Sequence, residues 1–96
     1  MSQVVLSPKA KSDISGIWDY TLEQWGIDQA EKYVRELWAA IQKQACDYTT
    51  STDISDVRPG YRKFRSGSHV IFFKLVDDGI DVVRILHQRM DFERHL

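Results

Sequence analysis

Two adjacent apolar runs dominate the hydrophobic pattern. The first is Gly67-Ser68-His69-Val70-Ile71-Phe72-Phe73-Lys74-Leu75-Val76, and the second is Ile80-Asp81-Val82-Val83-Arg84-Ile85-Leu86-His87. β-Branched and aromatic residues at this density, separated by Asp77-Asp78-Gly79, predict a β-hairpin. Asp78-Gly79 is the local turn cue, because a two-residue hairpin turn favours residues that tolerate positive φ. In the first strand Ile71, Phe73 and Leu75 face one way and Val70, Phe72 and Val76 the other, so it is apolar on both sides. A half-exposed antiparallel strand alternates apolar with polar, so this hairpin belongs in the middle of a sheet that is covered on both faces.

Upstream the period changes. Gln3-Val4-Val5-Leu6 suggests a short first strand, and Ser7-Pro8 then reads as an N-cap followed by a proline at the first helical position. Ala10, Ile14, Ile17, Trp18, Thr21 and Trp25 form one apolar stripe that ends at Gly26. A second helix is expected from a cap at Asp28 paired with Glu31, its stripe carried by Ala30, Tyr33, Val34, Leu37, Trp38, Ile41, Ala45 and Tyr48. So short a link predicts an αα-hairpin. Residues 49–60 have no sustained period and read as a loop. Tyr61-Arg62-Lys63-Phe64-Arg65 predicts a strand, and the segment after His87 has only weak helical potential. The order is β-α-α-β-β-β, an α+β fold in one domain over residues 1–96. Trp18, Trp25, Trp38, Phe73 and Leu86 are its expected core. Two helices cover one sheet face and leave the other apolar face with no layer of its own, which marks a partner site.

Composition narrows the class. With 96 residues, 43% hydrophobic and 28% charged, the chain reads as a globular domain with a single core. No apolar run reaches the roughly 20 residues of a membrane-spanning helix, and the N-terminus lacks a signal peptide's basic region. The lone Cys46, expected near the core side of the second helix, suits a reducing, cytoplasmic setting. His69, His87 and His95 lack metal-ligand spacing, and neither a phosphate loop nor a nucleophile motif is present, so no cofactor is expected. The net charge of −1 is uneven: five Lys/Arg face nine Asp/Glu in residues 1–56, against eight and five in residues 57–96. Such a split suggests two surfaces with different partners, or else chance variation in a small protein. Arg58, Arg62, Lys63, Arg65, Arg84, His87 and Arg89 all fall in the basic half. Three readings of them stay open. They dock acidic side chains of a protein, they are solvated strand-edge charges, or they bind nucleic-acid phosphates with Arg84 and His87 assisting cleavage.

The segment Gly60–Phe73, with Arg84-Ile85-Leu86-His87-Gln88-Arg89-Met90-Asp91 after it, resembles the ParE toxins of the RelE/ParE superfamily of bacterial type II toxin–antitoxin systems. Leu6–Ile14, Ile17-Trp18-Asp19-Tyr20 and Gln24-Trp25-Gly26 extend the resemblance over essentially the whole chain. It implies a RelE/ParE-like fold, with a helical hairpin against a twisted antiparallel sheet. It also implies a non-enzymatic toxin that poisons DNA gyrase by stabilising its cleaved-DNA complex, meets DNA only through gyrase or the antitoxin, and serves plasmid maintenance. A ParD-type antitoxin would form a hetero-oligomer with it and wrap it with an extended C-terminal region. Arg62, Phe64, Val70, Phe72, Arg84 and His87 are then the expected antitoxin contacts, and Arg89, Met90, Asp91, Phe92 and Arg94 the gyrase contacts. The alternative is the sibling RelE branch of ribosome-dependent mRNA endonucleases, for which Arg62, Arg65, Arg84 and His87 would be catalytic. No tyrosine follows Tyr61, so the C-terminal tyrosine of the RelE pattern is missing.

Overall fold

A computed structural model describes residues 3–96. After strand β1 (Gln3–Leu6), Ser7 opens helix α1 (Pro8–Trp25) as its sequence demands. The Ser7 hydroxyl accepts the Ala10 amide at 3.0 Å and donates to the Val83 carbonyl at 2.6 Å. One side chain thus caps the helix and ties its start to the sheet. Helix α2 (Ile27–Cys46) begins one residue after α1 ends. Gly26, with φ of 91°, is the C-cap of one helix and the N-cap of the next. The expected Asp28 cap does not form, because the turn is too tight to leave Asp28 outside the helix.

Strands β2 (Thr52–Asp53), β3 (Tyr61–Ser66), β4 (His69–Val76) and β5 (Gly79–His87) follow, with a short helix α3 (Phe92–His95) at the end. The region read as a plain loop therefore holds β2 and a 3₁₀ turn at Tyr48–Thr50. The sheet order is β1-β5-β4-β3-β2, which puts the predicted hairpin in the centre. Only the β1–β5 pair is parallel. The hairpin turn is Asp77-Asp78, and neither aspartate has positive φ. Gly79 takes it instead, at 155°, and a Cβ there would run into the backbone of Gln3. The glycine is needed for β1 to approach, not for the turn itself.

Strand β5 carries a bulge. Phe72 pairs with Arg84 and Phe73 with Val82, so Val83 is an extra residue. The bulge switches which residues face the helices, from Ile80 and Val82 before it to Ile85 and His87 after it. That switch is why the strand reads as apolar on both sides. The helix-side core packs Ala10, Ile17, Leu37 and Ile41 against Ile71, Phe73, Ile80, Val82 and Ile85.

The opposite face is not bare, contrary to expectation. Ile54 from the loop, with Phe92 and Leu96 from the tail, packs on Phe72 and Leu86 and leaves Phe72 only 1% exposed. The Phe92 ring centre lies 5.2 Å from that of Phe72, and the Lys63 ammonium sits 4.9 Å from the centre of the same Phe92 ring. Segments too aperiodic to be read as elements supply the missing layer. Three further expectations about burial need correction. Trp25 is 72% exposed, because burial along α1 ends at Thr21 while the apolar periodicity runs on. Trp18 and Trp38 are half-buried, and Cys46 is exposed. Phe73 and Leu86 are buried as expected.

Candidate partner-binding groove

Strand β1 has four residues and pairs only with Gly79–Val82, so β5 from Val83 onward has no strand on its outer side. Helix α1 passes there instead. Between α1, the start of α2 and the ends of β4 and β5 lies a groove of about 700 Å³. Ile17, Tyr20, Trp25, Leu86 and Met90 make much of its wall apolar, and Gly16 leaves its α1 side open.

Asp13 holds the groove's floor together. Its carboxylate accepts Arg84 Nε at 2.9 Å and Arg84 Nη2 at 3.0 Å, and it also accepts the Ile85 amide at 2.9 Å. It thus serves the backbone donor that a neighbouring strand would otherwise serve. Arg84 further donates to the His95 carbonyl at 3.2 Å, linking α1, β5 and the tail. The hydrogen bonds it donates to Asp13 hold the Arg84 guanidinium above its ordinary pKa.

Deeper in the groove His69 and His87 are cross-strand partners, their rings 5.5 Å apart and nearly perpendicular at 84°. The Tyr33 hydroxyl, from α2, accepts the Ser68 amide at 3.0 Å and lies 2.6 Å from His69 Nδ1. Since the oxygen already accepts the Ser68 amide, we assign the tyrosine proton to the bond with Nδ1. The Arg89 amide donates to His87 Nδ1 at 3.2 Å. Both Nδ1 atoms are therefore acceptors, and we assign both neutral imidazoles as Nε2–H tautomers from this bonding. Burial pushes the His69 pKa below its ordinary 6.5, and the facing His87 pushes the same way against the opposing pull of Asp13.

The six expected antitoxin contacts do not share one surface. Phe64 packs into the helix-side core, and Arg62 bonds the Ser51 hydroxyl and carbonyl beside Asp53 and Tyr48. Val70 and Phe72 belong to the cluster under the tail, Phe72 fully buried. Only Arg84 and His87 line the groove. The four candidate nuclease residues are equally scattered, with Arg65 turned back on the Gly67 carbonyl at 3.0 Å. Among the expected gyrase contacts, Arg89, Met90, Asp91 and Arg94 are exposed, whereas Phe92 is half-buried against Phe72. Met90 also lines the groove. Asp13 lies outside the apolar stripe of α1 and Tyr33 within that of α2, and no local signal in the sequence distinguishes either as a groove residue.

Residues 4–92 match the family described as the ParE toxin of the type II toxin–antitoxin system parDE. The chain belongs to the ParE toxin family. It is 48% identical over 96 residues to a Toxin ParE1 of Mycobacterium tuberculosis, covering 99% of this chain and 98% of that one. It is 41% identical over 91 residues to a Toxin ParE1 of Caulobacter vibrioides, with 95% and 94% covered. In fold it is similar to a chain of a chromosomal ParDE system from P. aeruginosa, with a TM-score of 0.75 at 19% identity over 91% of this chain and 96% of that one. For this ParE-family chain, the groove joins apolar walls, the two histidines and the Asp13–Arg84 clamp in one concave surface.

Proposed function

We propose that this chain is a toxin that poisons DNA gyrase by stabilising its cleaved-DNA complex, and that a ParD-type antitoxin neutralises it by laying a segment in the groove. The observation that carries the non-enzymatic part is that the candidate nuclease groups are occupied within the fold. Asp13 holds Arg84, Ser51 holds Arg62, and the Arg89 amide takes the Nδ1 lone pair of His87. An Nε2–H imidazole presents no base to a ribose hydroxyl from that nitrogen. Membership of the ParE family supports gyrase as the target, and the apolar groove supports a peptide-like partner.

The tail is part of this reading. Removing Arg89–Leu96 would also uncover Phe72 and Leu86, so truncation mixes loss of contact with loss of fold. Charge reversal at the exposed Arg89 and Arg94 tests the gyrase contact more cleanly. The decisive assay incubates the purified chain with gyrase, supercoiled DNA and ATP, beside a translation reaction with a defined mRNA. Accumulated cleaved DNA with intact mRNA is the expected result, and antitoxin should abolish it. Ribosome-dependent mRNA cleavage would overturn the proposal.

A further inference from the structure

We propose that the His69–His87 pair is a recognition point for a carboxylate, the side chain of an aspartate or glutamate in the otherwise apolar segment that fills the groove. This rests on the reading that a peptide-like partner docks there. Each imidazole has its Nδ1 occupied by a donor from the fold, Tyr33 Oη for His69 and the Arg89 amide for His87. The remaining Nε2–H groups are the hydrogen-bonding capacity the pair has left, and both rings line the groove. Two N–H donors on adjacent strands suit an acceptor with two oxygens.

The charges around the pair point the same way. Asp13 on α1 is the acid that faces it, and Asp13 is already neutralised by Arg84 of β5. Tyr33 on α2 meets the pair through its hydroxyl. Arg89, just beyond β5, makes no ion pair among the described residues and adds a positive charge beside His87. A metal fits poorly, because no set of three or more His, Cys, Asp or Glu side chains comes together to hold one among the described residues. A nucleic-acid strand also fits poorly. Asp19 and Glu23 stand exposed on α1, and apolar Ile17, Tyr20, Leu86 and Met90 flank the histidines, so successive phosphates would meet repulsion or no partner. A single carboxylate among apolar side chains meets neither problem.

The consequence is a pH response. A carboxylate at the Nε2 edge favours the imidazolium, whose added proton sits on Nδ1. At His69 the Tyr33 hydroxyl turns to accept that proton, and at His87 the Arg89 amide lets go. Docking therefore tightens as pH falls through the imidazole range, by about tenfold for each unit that binding raises a histidine pKa. Sodium acetate serves as the carboxylate probe on the free chain, with imidazole ¹⁵N spectra as readout. Both histidines should show the Nε2–H tautomer at pH 8, and acetate should shift both. His87→Phe should abolish the response, whereas an acetate-insensitive pair overturns the proposal. The co-expressed ParD-type antitoxin is the second probe. Its affinity should rise between pH 8 and pH 6, and the slope should flatten in His87→Phe. His87→Gln, which keeps a neutral donor, should recover part of the affinity but none of the slope. Affinity that is flat or falls on acidification overturns the carboxylate. So does a single-stranded RNA oligonucleotide that moves the histidine signals more than acetate does. If no ParD-type protein binds at any pH, the partner reading fails, while the acetate result still stands or falls by itself.

Discussion

Asp13→Ala should unfasten the groove. Its carboxylate receives two guanidinium hydrogen bonds and one backbone amide, and the side chains of Arg84 and Asp13 are only 16% and 15% exposed. Removing one member of a buried pair costs about 3–5 kcal/mol, because the other charge stays buried without its partner. Residual exposure argues for the low end, about 3 kcal/mol, and the orphaned Ile85 amide adds about 1 kcal/mol. For a domain of this size that lowers Tm by roughly 12–24 °C for the first 3 kcal/mol alone. Guanidinium denaturation followed by tryptophan fluorescence measures it, since Trp18, Trp25 and Trp38 report on both helices. Asp13→Asn keeps the shape and one acceptor oxygen, so it should lose about half as much. In an Arg84→Met background the Asp13→Ala cost should shrink towards about 1 kcal/mol, the amide bond alone. A single-mutant cost below about 1 kcal/mol, the value of an exposed pair, would refute the clamp. An unchanged cost in the Arg84→Met background would refute it equally.

Gly79→Ala should destabilise by about 1–3 kcal/mol or more, since its φ of 155° and the Gln3 backbone leave no room for a methyl; chemical denaturation measures it, and a neutral result means β1 can shift away. Phe92→Ala should cost about 2 kcal/mol, below the 3–5 of a fully buried phenylalanine, and should raise binding of a hydrophobic dye as Phe72 is uncovered. Burial holds His69 below its unfolded value of 6.5, so its contribution to stability is complete above pH 6.5 and is lost as pH falls through the folded value. Denaturation at pH 7.5 and pH 5 should show this loss, and His69→Gln should reduce it. Trp18→Ala should cost less than the 3–5 kcal/mol of a fully packed tryptophan, because the ring is half-buried.

Local patterns were enough for the scaffold. Ser7-Pro8, Gly26 and the two apolar stripes define the helical hairpin, and the doubly apolar run at Val70–Val76 requires a central strand. These follow from neighbours a few residues apart, where period and capping chemistry act. The groove was not legible in that way. Asp13 and Arg84 are 71 residues apart in sequence, Tyr33 and His69 are 36 apart, and Phe72 meets a tail that Arg84 and Arg58 hold through the His95 and Leu96 carbonyls. The Val83 bulge decides that His87 faces His69 at all, and a strand's apolar pattern carries no mark of an inserted residue. The sequence by itself determined the order of the main elements, β2 and α3 apart, and a hairpin needing cover on both faces. Only the tertiary structure decided what provides that cover and which polar groups meet, because those contacts depend on where distant segments come to rest and not on any local period.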